Sequence, residues 1–320
     1  MNYRTLGRTG LEVSEVGLGT WALGSTIYGE VDQDAPEKLI QGAIDQGINF
    51  FDTAPLYGTK ETDGVSESIL GKALGRHRGE VLISTKFGRT SSNVIPGRFY
   101  AAEARESCEA SLRRLGVDTL DVLFFHSPFN PEEIHDDVWA ELAKLKNEGK
   151  IRFLGHSVSL FEDTAPMSAQ WMQDGLIDVI QVVLSPFNRE ARSLIDTAIE
   201  CNCGVVAREC LANGFLSGAI REDTVFPEGS LNARYSREEI TDRVSYANQL
   251  SEAMLGGEIE TLVQATYRWV LDQPGVSVAL SGGKDLRELE GPVQASRFSA
   301  MSEEILAAVE DMHTQDFGAA

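Results

Sequence analysis

Asp52, Tyr57, Lys86 and His126 are the residues of this chain whose types and spacing could do chemistry. A phenol ionises near about pH 10, too high for efficient acid catalysis at neutral pH, and a neighbouring ammonium pulls that value down by stabilising the phenolate. Lys86 is such an ammonium if the fold sets it beside Tyr57. Asp52 would then hold Lys86 charged and oriented through a charge-assisted pair. His126 could donate a hydrogen bond to a substrate carbonyl oxygen next to the phenol. Such a set protonates an oxygen on which negative charge develops, which is the chemistry of carbonyl reduction.

Three of the four residues end short apolar runs. Ile48-Asn49-Phe50-Phe51 leads into Asp52, Val81-Leu82-Ile83-Ser84-Thr85 into Lys86, and Val122-Leu123-Phe124-Phe125 into His126. Runs that are continuously apolar read as strands buried on both faces. Eight such runs are expected, at residues 15–19, 48–52, 81–85, 121–125, 153–155, 178–183, 204–207 and 277–280. Helical patterns separate them, at 36–46, 103–115 and 131–148 among others. The last opens on Pro131-Glu132-Glu133 as a helix N-terminus should. Gly47, Gly116, Gly149 and Gly175 stand at helix exits. Strand–helix alternation repeated eight times predicts an α/β chain closed into a parallel (β/α)8 TIM barrel, one domain over residues 1–320. Polar residues at the C-terminal ends of its strands converge on one mouth.

Two segments fall outside the repeat. Residues 3–13, with Gly7-Arg8-Thr9-Gly10 at the turn, read as an N-terminal β-hairpin that plugs the far end of the barrel. The connection after the seventh strand is far longer than the others, as lids and ligand loops are.

Composition narrows the function classes. The 320 residues carry 28 Lys+Arg against 49 Asp+Glu, a net charge of −21. Such a surface repels nucleic acid and anionic membranes and keeps the chain soluble. No stretch approaches the roughly 20 apolar residues of a membrane span, and the start lacks a signal-peptide core, so a cytoplasmic protein is expected. Cys108, Cys201, Cys203 and Cys210 have neither disulfide-framework nor zinc spacing, so reduced thiols and no metal are expected.

These motifs resemble the aldo-keto reductases along nearly the whole chain. The segment Tyr3-Arg4-Thr5-Leu6-Gly7-Arg8-Thr9-Gly10 with Leu18-Gly19-Thr20-Trp21 is similar to the family's N-terminal signature. Asn49-Phe50-Phe51-Asp52-Thr53-Ala54-Pro55-Leu56-Tyr57-Gly58, followed by Ser66-Glu67 and Leu70-Gly71, resembles its most specific motif, and Ser84-Thr85-Lys86 and Phe125-His126 fit the next two. Val206-Ala207-Arg208 and Gly214-Phe215-Leu216-Ser217-Gly218 resemble the bacterial and plant subgroup with Arg after the seventh strand. The resemblance implies a nicotinamide cofactor, Tyr57 as acid, and Asp52, Lys86 and His126 assisting.

The resemblance also implies a cofactor path. Gly19, Thr20, Trp21 and Asp52 lie at its start, and Ser157 and Gln181 at the carboxamide. Arg208 stands where many members stack an aromatic ring, a role open to a planar guanidinium. Leu211, Gly214, Leu216 and Gly218 match the pyrophosphate loop, and Ser281, Gly283, Lys284 and Arg287 the adenosine end. The chain departs from the family at Val158, at Leu184-Ser185, at Cys210, and at Glu288, Gly291 and Pro292. Lys284 and Arg287 favour NADP(H), with NAD(H) also usable. Trp21, Tyr28, Phe87, Phe129 and residues 95–98 are expected to line the mouth, for a small carbonyl or sugar substrate. The leading expectation is an oxidoreductase. A cofactor-sensing barrel with little turnover is the alternative, and a metal-dependent hydrolase is set aside because only Asp52 and His126 could serve it.

Overall fold

The computed structural model describes residues 1–24, 35–159 and 161–316. Tyr28, expected at the mouth, lies outside them. The chain opens with a two-stranded antiparallel hairpin, β1 (Tyr3–Thr5) and β2 (Glu12–Ser14), joined through a 3-10 turn at Gly7–Thr9. Eight parallel strands follow: β3 (Val16–Gly19), β4 (Phe50–Asp52), β5 (Leu82–Phe87), β6 (Leu120–His126), β7 (Ile151–Ser157), β8 (Val179–Val183), β9 (Gly204–Arg208) and β10 (Val276–Gly282). They close in sequence order, with β10 pairing back onto β3. The expected (β/α)8 barrel with its hairpin is therefore the fold.

The pleat explains where the polar residues point. Successive side chains on a strand face opposite ways. On β6, Val122 and Phe124 belong to the cluster inside the barrel, while Leu123 and Phe125 pack outward under the helices. His126 continues the inward series at the strand's last residue. The same parity runs Phe50, Asp52 on β4 and Leu82, Ser84, Lys86 on β5. It also runs Phe153, Gly155, Ser157 on β7, and Val179, Gln181 on β8, and Val206, Arg208 on β9. The apolar members fill the lower barrel and the polar members crown it. Gly155 is an inward position where a Cβ would lie 2.4 Å from the Phe124 ring. A larger residue there would displace that ring.

Hairpin residues Leu6, Leu11 and Val13 join Phe50, Val122, Phe124, Val179, Val206, Val278 and Leu280 in the interior cluster, closing the bottom. Gly7, at φ 50°, fits against the Asn202–Gly204 backbone, where a Cβ would meet Gly204 N at 2.3 Å. The outer helices include Ala35–Asp45, Val65–Leu74, Ala101–Leu115, Asp137–Asn147, Phe161–Gln173 and Arg192–Glu200. Gly47, Gly116, Gly149 and Gly175 are all left-handed after the preceding helix, as expected of helix exits.

Three expectations shift. Residues 131–148 are not one helix: Asn130 caps a 3-10 turn at Pro131–Glu133, and the α-helix starts at Asp137. Strand β7 begins at Ile151, which pairs with Leu120 two residues ahead of the apolar run. The long connection after β9 is loop and helix together. It holds 3-10 turns at Ala212–Ser217 and Leu231–Arg234 and the helix Arg237–Met254 before the helix Leu262–Asp272. Among the described residues, no helix is long and apolar enough to cross a membrane.

Candidate active site

Four strand ends and one loop assemble the mouth. The Lys86 Nζ donates to Asp52 Oδ2 at 2.6 Å and to the Thr53 carbonyl at 2.9 Å, and it lies 4.8 Å from the centre of the Tyr57 ring. Asp52 Oδ1 accepts from Ser84 Oγ (2.8 Å) and Gln181 Nε2 (2.9 Å). Asp52 and Lys86 are 2% and 1% exposed, so this is a fully desolvated ion pair. A buried carboxylate is tolerable only when its lone pairs are matched, and here three donors converge on it.

Tyr57 is presented by the loop after β4. Its amide donates to Ala54 O (3.1 Å), and its carbonyl accepts from Ser66 N (2.9 Å). Gly24 lets the loop close: a Cβ there would sit 2.1 Å from the Tyr57 carbonyl oxygen. The Ser66 hydroxyl donates to Thr20 O (2.8 Å) and lies 2.6 Å from Thr20 Oγ1, and the Thr20 amide donates to the Asp52 carbonyl (2.9 Å). Thr20 is buried and knits the end of β3 to the tyrosine loop. Trp21 is beside the phenol, ring centres 6.4 Å apart, and His126 meets the phenol edge-on at 5.8 Å.

Electrostatics differ in one respect from expectation. Burial pushes the Tyr57 phenol above the usual tyrosine range, and the pull of Lys86 in the opposite direction does not overcome it. Burial also opposes the Lys86 charge, yet Asp52 and Tyr57 together hold this ammonium above the usual lysine range. His126 is held well below the ordinary histidine range, by burial first and then by Lys86, Arg89 and Arg208. At neutral pH the mouth therefore presents a protonated phenol, a neutral imidazole and one ammonium. His126 Nδ1 is buried without a partner.

Around this centre lie the residues expected to hold a cofactor. Ser157 Oγ is 3.4 Å from Gln181 Oε1, in register across β7 and β8. Arg208 donates through Nη2 to Val158 O and Ser159 Oγ, both at 3.1 Å, and pairs with Glu209. Its Nε is buried and unpartnered. Gly19 pairs with Gly282 beside Leu18 and Ser281, so these termini share one rim. From 209 to 218 the loop turns left-handed at Glu209, Ala212, Asn213, Gly214 and Gly218. Backbone of that kind makes amide-lined anion concavities. Leu216 is wholly buried and its amide donates to Leu211 O (3.1 Å), leaving its side chain to the core. Gly283 carries the Glu288 carboxylate against it, Glu288 Oε2 accepts from Lys284 N (2.7 Å), and Arg287 pairs with Asp285 (2.9 Å). The unpartnered Arg208 Nε fits a polar group of a nicotinamide dinucleotide, whereas the Ala212, Gly214 and Leu216 amides already donate to Glu209 O and Leu211 O.

Of the mouth-lining residues, Phe129 lies under the Arg89 guanidinium (3.9 Å), whereas Phe87 is fully buried among Phe99 and Phe125 and faces the helices. Phe87 is therefore not a mouth residue, because it is outward by strand parity. Sequence reading missed Ser84, Arg89 and Glu133. Only Ser84 was legible, as the inward position two before Lys86. The four cysteines are free thiols, and burial pushes Cys108 and Cys210 up to about 12.

Comparison with known proteins agrees with this geometry. The profile of the Aldo/keto reductase family matches residues 15–313. The chain is 30% identical to the aldo-keto reductase YhdN of Bacillus subtilis over 318 residues, covering 95% of this chain and 91% of that protein. It is 41% identical to L-galactose dehydrogenase of Arabidopsis thaliana over 157 residues, 48% of this chain and 47% of the relative. The glycerol dehydrogenase AKR11B4 of Gluconobacter oxydans superposes with a TM-score of 0.81 at 30% identity, over 96% of this chain and 93% of that one. The holo form of AKR11C1 from Bacillus halodurans superposes at 0.77 and 25%, over 98% and 96%. On a barrel with this mouth, the matches leave one assignment: the chain belongs to the aldo/keto reductase family and is an NAD(P)-dependent oxidoreductase that interconverts carbonyls and alcohols.

Proposed function

We propose that Tyr57 is the general acid and base of this reaction, acting on a small aldehyde, ketone or sugar carbonyl. The observation that carries the reading is Lys86 Nζ, desolvated between Asp52 Oδ2 (2.6 Å) and the Tyr57 ring (4.8 Å). In reduction, the protonated phenol gives its proton to the carbonyl oxygen as charge builds there. Lys86 stabilises the phenolate left behind, and Asp52 keeps Lys86 charged through the cycle. Neutral His126 sits where a ring nitrogen can hold the same oxygen, orienting the carbonyl. A bound nicotinamide supplies or accepts the hydride. Ser157, Gln181, Arg208, the 211–218 loop and the rim of Gly19 and Ser281 would hold it.

Sugar and polyol carbonyls within that class gain support from two relatives, a glycerol dehydrogenase and an L-galactose dehydrogenase. Both cofactor forms fit. Lys284 favours the 2′-phosphate of NADP(H), while Asp285 and Glu288 beside it keep that preference small. A panel of carbonyls mixed with reduced cofactor, followed at the nicotinamide absorbance band, tests the reading. Tight cofactor binding with no consumption of it by any carbonyl would favour a sensing barrel instead.

A further inference from the structure

Beside the catalytic mouth lies a second buried ion pair that the reaction chemistry does not use. Arg89 Nη2 and Glu133 Oε2 are 2.8 Å apart, with side chains 2% and 3% exposed. They come from different loops, after β5 and after β6. Arg89 Nε donates to the carbonyl oxygens of both His126 (2.9 Å) and Ser127 (2.8 Å). Glu133 Oε2 also accepts from the Phe129 amide (3.0 Å), and the centre of the Arg89 guanidinium lies over the Phe129 ring at 3.9 Å. Four consecutive positions, from His126 to Phe129, are thereby gripped at both ends by one salt bridge.

The grip answers a local problem. Ser127 is left-handed at φ 51°, a conformation costly for a residue with a Cβ unless its surroundings enforce it. The chain leaves β6 at that residue, directly after His126, whose carbonyl is one of the two that Arg89 holds. A cation bridging two consecutive carbonyls at the bend fixes it. On the opposite side Gly88, at φ 95°, brings the Arg89 backbone in against the Phe99 ring, where a Cβ would meet it at 2.1 Å. Gly97 is equally tight, with Phe99 and Glu133 Oε2 at 2.4 and 3.0 Å from its would-be Cβ. Such packing makes the pair rigid rather than adaptable.

We propose that the Arg89–Glu133 pair is the positioning device for His126, holding the imidazole edge-on to Tyr57 by clamping the His126–Ser127 backbone. This rests on the reading of His126 as the carbonyl-orienting donor. Arg89 itself touches neither phenol nor Lys86 and is not a catalytic residue. The charge of Arg89 also helps to keep His126 neutral, in company with Lys86 and Arg208.

The discriminating variant is Arg89→Lys, which keeps a cation for Glu133 but replaces with a point charge the planar group whose Nε reaches both carbonyls while its Nη2 holds Glu133. Arg89→Lys is expected to lower kcat about tenfold while cofactor affinity, read by tryptophan fluorescence, moves less than about twofold. In a His126→Ala background the same substitution should change kcat less than about twofold, because the group it positions is gone. Glu133→Gln should show the same non-additivity and guards against a fault peculiar to lysine. A third readout does not depend on turnover: in protein labelled with ¹⁵N-histidine, Arg89→Lys should move or broaden the His126 ring signals and leave those of His156 in place. Equal losses in both backgrounds, or unmoved His126 signals, would overturn the proposal. A His126→Ala variant as active as the parent protein would instead overturn the role given to His126.

Discussion

Gln181 Nε2 donates to Asp52 Oδ1 at 2.9 Å, from the far side of the barrel. With Ser84 on the same oxygen and Lys86 on the other, three donors hold the carboxylate. Asp52 is thus an anchor. Gln181 has one foot on this anchor and its carbonyl oxygen beside Ser157. The side of the mouth expected to hold the nicotinamide amide and the side that charges the phenol are joined by one side chain.

Tyr57→Phe removes the proton and leaves the ring. A general acid contributes about 10²–10⁴ in rate, so kcat should fall by at least about a hundredfold. Cofactor dissociation constants should change less than about twofold, since the lost interaction is made only in the transition state. A variant retaining a tenth of the parent kcat would remove Tyr57 from the acid role.

Lys86→Met tests the charge. Lys86 opposes the upward push of burial and of Asp52 on the phenol, so its removal lets the Tyr57 pKa rise further. Alcohol oxidation needs the phenolate, and the acid-side limb of its pH profile should therefore move to higher pH, with activity sharply reduced. Because a lone buried Asp52 would also cost stability, Lys86→Met with Asp52→Asn is the companion variant, and its limb should move the same way but less, since the upward push of Asp52 is removed too. A limb in its original place in either active variant would separate Lys86 from the phenol.

At the adenosine end, Lys284→Ala with Arg287→Ala should weaken NADP(H) about tenfold and leave NAD(H) within about twofold, since only the former carries charge on that ribose. Glu288→Gln should act oppositely, tightening NADP(H) several-fold by removing a carboxylate from beside the Lys284 amide. Fluorescence titration of both cofactors reads the two effects. Equal changes for both cofactors would mean that these residues only shape the loop.

His156 gives a stability prediction. It sits outward on β7, against Trp171 at 5.2 Å, with both ring nitrogens buried and unpartnered, and burial lowers it to about 3. Its unfolded value is near about 6.5, so between those values the unfolded chain takes a proton that the folded chain refuses. Its contribution is therefore full above about pH 6.5 and is lost as pH falls towards 3, at up to about 1.4 kcal/mol per pH unit. His156→Leu should flatten this fall, as measured by urea unfolding at pH 7, 5 and 4. Parallel curves for the two proteins would falsify it.

Much of this was legible because a parallel barrel writes its architecture locally. Asp52, Lys86 and His126 stood out as polar residues closing apolar runs, and strand parity does the rest. Where one sequence pattern serves two structures, reading failed. Pro131-Glu132-Glu133 suits a 3-10 turn as well as an α-helix start, and Phe87 looks like a mouth residue until parity turns it outward. Arg89 and Glu133 are 44 positions apart, and no local pattern announces that they meet. The net direction of the Tyr57 shift depended on how deeply the phenol is buried, a property of the closed loop.

The hairpin floor has a consequence for traffic. Leu6, Leu11 and Val13 close the barrel's underside, and Gly7 lies directly on the β9 backbone. Among the described residues the underside is shut, so a reactant reaches Tyr57 from the strands' C-terminal face. Which end of the barrel can work is thus decided at the end of the molecule farthest from its chemistry.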